Sequence, residues 1–303
     1  MTRLLLVLAM LLAAVAAVQG SQATFSGSAH NSGGAFATAS DWVAPALTLT
    51  APADGSRTND NTPTLSGAAG NVAGDATTVT VRIYSGASAT GTPVQTLTPT
   101  RSAATWTATV ATLADGTYTA RATQTDASGN TGTSTASTFI LDTARPTATS
   151  VSAANKGGAG TTAGKLDNGD TIIFTYSEAV DPTSVLSGWN GASIAVRVRF
   201  TAGLPNDTFT VLDGSGGTTV KLGSVTTNGD YVSLTTTITA STMVRSADGR
   251  SIVVTLGAPS NVSFLAVAAK NMSWTVGAGI KDLAANIITT PASRAETDLD
   301  VDF

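Results

Sequence analysis

The chain has 303 residues with 12% charged and 5% aromatic side chains, 30 Gly and 53 Thr, and a formal net charge of −4, a profile that excludes both a basic nucleic-acid binder and a charge-rich disordered tail. The absence of Cys excludes thiol chemistry, iron–sulfur clusters and Cys-ligated zinc, and the single imidazole, His30, leaves no multi-His metal site and argues against a Ser-His-Asp triad. At roughly 100 to 200 residues per domain the length accommodates two domains, each large enough to bury a core without disulfide or metal staples.

Arg3 precedes an uninterrupted apolar run of 15 residues, Leu4 to Val18, and small residues follow at Ser21-Gln22-Ala23. The run is short for a bilayer span, which needs about 20 residues, and suits the core of a signal peptide, so residues 1–23 are predicted to be cleaved, the alternative being an uncleaved N-terminal anchor. The mature chain is then extracellular or at the cell surface, and meets a membrane only during export. It keeps 15 basic and 20 acidic residues, a net charge of −5 that gives no electrostatic reason to bind nucleic acid or anionic lipid. Residues 24–44 are small and polar apart from Phe25, Phe36 and Trp42 and read as an extended arm, with His30 solvated among Ser, Ala and Gly. Ala23-Thr24-Phe25-Ser26 after the apolar run, with Asn31 and Phe36 beyond, resembles the start of exported camelysin-like and biofilm-fibre proteins.

From Pro45 to Asp142 the apolar residues follow a period of two. In Val79-Thr80-Val81-Arg82-Ile83, and where Trp106, Ala108 and Val110 alternate with Thr105, Thr107 and Thr109, one face is apolar and the other polar, as a half-buried strand requires. Strands are predicted at 46–51, 64–68, 77–85, 94–98, 104–112, 118–125 and 133–141, an antiparallel sandwich. Asp115-Gly116 stand just before Tyr118, which opens the next strand in the arrangement of a tyrosine corner. Asp126-Ala127-Ser128-Gly129-Asn130 is a hairpin turn, because Gly129 and Asn130 accept positive φ and the Asp126 side chain caps the bend. With Pro52-Ala53-Asp54-Gly55 and Asn61-Thr62-Pro63-Thr64-Leu65-Ser66-Gly67, this segment resembles the bacterial immunoglobulin-like repeats of surface and adhesion proteins. The resemblance implies a spacer, stalk or adhesive module and supplies no catalytic position.

Thr143-Ala144-Arg145-Pro146 reads as a linker, and 147–303 as a second, larger sandwich. Gly157-Gly158-Ala159-Gly160 lies in a Gly-rich loop, but Gly164-Lys165 leads into Leu166 and Asp167 instead of Ser or Thr and a helix, so it is no phosphate cradle. Thr171 to Tyr176 is a buried strand, and Asp181 is placed to cap a short helix that starts at Pro182. The segment through Ser177-Glu178-Ala179-Val180-Asp181-Pro182 is similar to a second class of bacterial Ig-like domain, first described in surface-layer proteins. Further strands are predicted at 193–200, 207–212, 218–226, 230–239, 250–256, 271–276 and 286–290, with Asp213-Gly214-Ser215-Gly216-Gly217 as a hairpin tip. Lys281-Asp282-Leu283-Ala284-Ala285-Asn286 repeats the Asp126 turn with Ala285 in the place of Gly, which makes positive φ costlier there. The chain's last residues carry no apolar tail and no wall-sorting motif, so retention at a surface is expected to be non-covalent or through a partner.

Function follows from what the acids and aromatics are doing. Most carboxylates, Glu178, Asp181 and Glu296 among those considered as hydrolytic pairs, fall in or near turns where capping explains them. Calcium is the one cofactor weighed: Asp167, Asp170, Asp282 and Asn286 offer hard oxygen donors for a site near the domain junction, without EF-hand or repeat spacing. Trp106 belongs to a core, whereas Trp42, Trp189 and Trp274 stand beside small or polar residues as candidates for a sugar platform. The sequence therefore describes an exported, non-catalytic, all-β protein of two tandem Ig-like sandwiches that contacts other surface or matrix components. The alternatives are a fibre subunit that self-associates by adding its 24–44 arm to a neighbour's open sheet, and a secreted carbohydrate-binding protein or hydrolase.

Overall fold

The computed structural model describes residues 42–157, 164–258, 271–289 and 293–296. The signal segment, His30 and the arm before residue 42 lie outside the described residues, as do 158–163 of the Gly-rich loop and 297–303. Among the described residues no helix is long and apolar enough to cross a membrane.

Alternation builds the first sandwich. On β3 (Thr80–Ser85) Val81 and Ile83 are buried and Arg82 exposed, and on β5 (Thr105–Thr109) Trp106 is buried between exposed threonines. One layer pairs β2 (Thr64–Ala68) with β5; the segment 46–51 lies along β2 through Thr48 N–H to Ala68 O and Thr50 N–H to Ser66 O. The facing layer runs β1 (Ser56–Thr58), β8 (Ser137–Leu141), β6 (Gly116–Thr125), β3, β4 (Gln95–Leu97), and β7 (Thr131–Thr133) pairs with the far end of β6. Leu65, Val81, Ile83, Trp106 and Phe139 fill the space between. Gly67 makes the close approach of 46–51 possible: a Cβ there would stand 2.0 Å from the Thr48 carbonyl oxygen, which also accepts the Trp106 indole N–H at 3.1 Å.

The second sandwich is one antiparallel sheet bent over on itself. Its order is β17 (Arg294–Ala295), β16 (Ser273–Val276), β13 (Thr219–Thr226), β12 (Thr208–Asp213), β11 (Ile194–Thr201), β14 (Thr236–Arg245), β15 (Ser251–Thr255), β10 (Thr171–Tyr176), β9 (Ala148–Ala154). Although β16 and β10 are far apart in that order, the Trp274 ring meets Phe174 and Tyr176 edge-on, with centroids 5.1 and 5.5 Å apart. The sheet therefore encloses its own core, as facing layers do.

Several boundaries differ from the sequence reading. The strand predicted at 133–141 is interrupted at 134–136, where Ser134 turns its hydroxyl onto the backbone as acceptor from Ala122 N–H and donor to Thr135 O. β1 and β9 were not predicted: Ser56–Thr58 has no apolar residue and pairs in parallel with β8, and Ala148–Ala154 has a single large apolar residue, Val151. The strand predicted at 230–239 begins only at Thr236, because the Tyr231 and Val232 N–H groups are taken by the Asp207 carboxylate. The segment predicted at 286–290 forms only isolated bridges among the described residues, Ile287 to Lys281 and Thr289 to Thr147.

Candidate functional site

The local rules of the sequence place side chains at the end of the second sandwich that faces the first. Asp181 caps a one-turn helix, α1 (Pro182–Val185), by accepting Thr183 N–H at 2.9 Å, and its own N–H donates to Lys281 O at 2.7 Å. Lys281 N–H returns a bond to Ser184 Oγ at 2.9 Å. This ladder holds the turn that follows, in which Asp282 Oδ1 accepts from Ala284 and Asn286 N–H and Oδ2 from Asn286 Nδ2, at 2.7 to 2.8 Å. Asn286 Nδ2 also donates to Asp142 O at 2.7 Å, the last residue of the first sandwich.

Three acids converge there. Asp142, Glu178 and Asp282 each bring a carboxylate oxygen to within 4.8 Å of the others. They line a pocket of about 320 Å³ with Arg57, Asp248 and Arg250. Asp248 is committed to its own turn, accepting from Ser246 Oγ and Arg250 N–H, and the Ser246 bond holds its carboxyl below the ordinary range. Among the described residues no donor bonds the Glu178 carboxylate. Burial, then the neighbouring Asp142 and Asp282, push its carboxyl up to about 7 against a smaller downward pull from Arg250. The donor set is all hard oxygen, which fits calcium and not a soft metal. The same acids are close enough for a glycosidase pair, yet the described residues of the pocket wall include no aromatic ring for a sugar.

The four residues weighed for calcium are not assembled. Asp170 is fully buried at the start of β10, where its carboxylate accepts Lys156 and Asp167 N–H; burial raises its carboxyl against those bonds. Asp282, bridged to Val180, and Asn286 lie beyond the other end of β10, so Asp167 and Asp170 are separated from them by the length of the strand. Asp282 meets Asp142 and Glu178 instead. Asp142 stands in the sequence only as a domain end, and Glu178 as one of three acids named for a hydrolytic pair and not for calcium.

The remaining singled-out residues hold loops. Tyr118 Oη donates to Ala114 O at 2.9 Å, beside Gly116, and Asp115 Oδ1 accepts both the N–H and hydroxyl of Thr143, fastening the linker. Asp126 Oδ1 accepts Ser128 and Asn130 N–H, with Gly129 at φ +90°, and the Asn130 side-chain bond holds the Asp126 carboxyl low. Trp106, Trp189 and Trp274 are buried; Trp42, 84% exposed, is the one indole among the described residues open to a ligand.

Two facing layers, a tyrosine bonded back across its corner and an Asp-capped turn thus occupy a single stretch of about 100 residues. Residues 48–143 match the bacterial Ig-like domain family. Ig-like domains of this family occur in bacterial surface proteins and are generally non-catalytic. No curated protein sequence matches the chain. Among solved structures, the fibronectin(III)-like modules of CbhA from Clostridium thermocellum are similar at 12% identity, covering 82% of this chain and 91% of that one, with a TM-score of 0.28. A protein of Corynebacterium diphtheriae described as membrane anchored is similar at 14% identity, covering 85% of this chain and 62% of its own, with a TM-score of 0.27. Likeness at those scores is too loose to transfer any property beyond the Ig-like match itself.

Proposed function

We propose that the protein is an exported, non-catalytic surface or matrix component that acts as a stiff two-module spacer, its junction clamped by calcium. The observation that carries this reading is the convergence of Asp142, from the end of the first module, with Glu178 and Asp282, from the second, their oxygens within 4.8 Å. A linker of four residues would ordinarily let two sandwiches swing. Here each end is fastened to its own module, with Thr143 bonded to Asp115, Pro146 O accepting Thr289 N–H at 3.1 Å, and Thr147 and Ser177 bonded to each other, while Asn286 Nδ2 reaches across to Asp142 O. Calcium takes six to eight oxygens, so three carboxylates would share it with water and backbone carbonyls. Export is supported by the 15-residue apolar run, and contact with other matrix components by exposed loops and edges.

Thermal melts and small-angle scattering of the protein in calcium and in chelator test the clamp. Free calcium at tenfold its Kd should add about 1.4 kcal/mol, about 3 to 6 °C for a body of this size, and should narrow the distribution of distances within the molecule. Melts and scattering curves that coincide in calcium and chelator would reject it. Fractionation of producing cells should find the mature chain in wall or matrix; a cytoplasmic pool alone would reject the surface role.

A further inference from the structure

At the end of the second module away from the junction, one buried carboxylate stitches two loops together. Phe200 pairs with Thr236 and Ile194 with Met243, so the loops 202–207 and 227–235 lie at the opposite end of these strands from the 245–250 turn that borders the junction pocket. Asp207 is fully buried, and its carboxylate accepts Gly203 N–H at 3.0 Å from its own loop, and Tyr231 and Val232 N–H at 2.6 and 2.7 Å from the other. Its backbone adds N–H to Gly229 O and accepts Thr227 N–H. Charge-assisted bonds of this kind are short and directional, so both loops are pre-organised.

The loops enclose a pocket of about 430 Å³ lined by Ala202, Gly203, Leu204, Asp230, Val232 and Ser233. Leu204 is 89% exposed and Leu234, next along the second loop, 71%. Asp230 is half-buried, and among the described residues no donor bonds its carboxylate. Rigid loops therefore hold aliphatic side chains beside one carboxylate. The chemical complement is a cation on a methylene stem, whose carbons cover the wall while its head reaches the carboxylate. The wall has no aromatic face on which a guanidinium could stack, and a single carboxylate suits a compact ammonium.

We propose that this pocket docks a lysine side chain of a partner protein. The site is separate from the junction and stands or falls independently of the calcium clamp.

Backbone amide NMR of the full chain, titrated with a blocked Gly-Gly-Lys-Gly-Gly peptide and its norleucine and arginine counterparts, tests the assignment. The lysine peptide should shift amides 203–204 and 230–234 in a saturable way, and norleucine should bind about tenfold more weakly for want of the charge pair. Asp230→Asn should bring lysine binding down to the norleucine level without moving the melt, and Leu204→Ser should weaken both peptides. Equal binding of lysine and norleucine, tighter binding of arginine, or shifts outside these loops would overturn it. So would amide shifts at 203–204 and 230–234 that follow protein concentration without peptide, because the occupant would then be a second copy of this chain.

Discussion

Asp126–Asn130 and Asp282–Asn286 make the same turn with different residues at the one position that needs positive φ. The carboxylate takes the same three donors in both, and the turn closes with Asp126 N–H to Asn130 O in one and Asp282 N–H to Asn286 O in the other. Gly129 sits at φ +90°, and Ala285 at +72°. The sequence raised doubt about the second turn because of that alanine; the Asn286 side chain, bonded to Asp282 and across the junction to Asp142, holds the residue there regardless. Left-handed backbone costs a non-glycine residue about 1 to 2 kcal/mol, less what glycine loses through its freer unfolded chain. Ala285→Gly should therefore stabilise by about 0.5 to 1 kcal/mol and Gly129→Ala destabilise by a like amount, since a Cβ at 129 would meet no atom within 4 Å. Denaturant midpoints of the two variants, moving in opposite directions, check both. Tyr118→Phe removes only the hydroxyl bonded to Ala114 O and should lose about 1 kcal/mol in the same measurement.

At the scale of elements, strands whose apolar residues alternate were legible, and strands made by their partners were not. Thr64–Ala68 coincides with its predicted range because Leu65 points inward between turn residues on either side. β9 depends on its pairing with β10, where Val151 stands opposite Phe174, and nothing in Ala148–Ala154 announces that partner. Tyr231 and Val232 misled in the other direction: both are buried, which suggests a strand, but a carboxylate 24 residues earlier in the chain takes their N–H groups. The junction acids show the same limit, since Asp142, Glu178 and Asp282 belong to three segments that meet only once both sheets are folded. The first layer carries a direct test of pairing. Gly67→Ala would drive a Cβ into the Thr48 carbonyl and push 46–51 off β2, a loss of about 2 to 3 kcal/mol. Hydrogen exchange at the Thr48 and Thr50 amides should accelerate well before that of β3; protection unchanged at those amides would show that the layer tolerates the wider spacing.

For the whole molecule, the proposed clamp would tie cation, proton and stability together at the junction. The Glu178 carboxyl titrates at about 7 in the folded chain, above its ordinary 4.5, so folding favours the protonated form. The stability from this proton is complete below about pH 4.5 and is lost as pH rises through about 7. Because much of the carboxyl faces water, its worth is about 1 kcal/mol, well short of what the shift alone would imply. In chelator the melting temperature should fall between pH 5 and pH 8. Asp170, also raised by burial, contributes in the same direction, so the decisive quantity is the difference between the native protein and Glu178→Gln. The variant should be flatter across that window by the share that belongs to Glu178. Calcium should restore the native protein most at pH 8, where the three acids are ionised, and least at pH 5, where the proton already neutralises one of them. If Glu178→Gln keeps the native slope in chelator and the native response to calcium, the three acids do not act as one site, and what holds the junction is the Asn286 bond and the linker bonds.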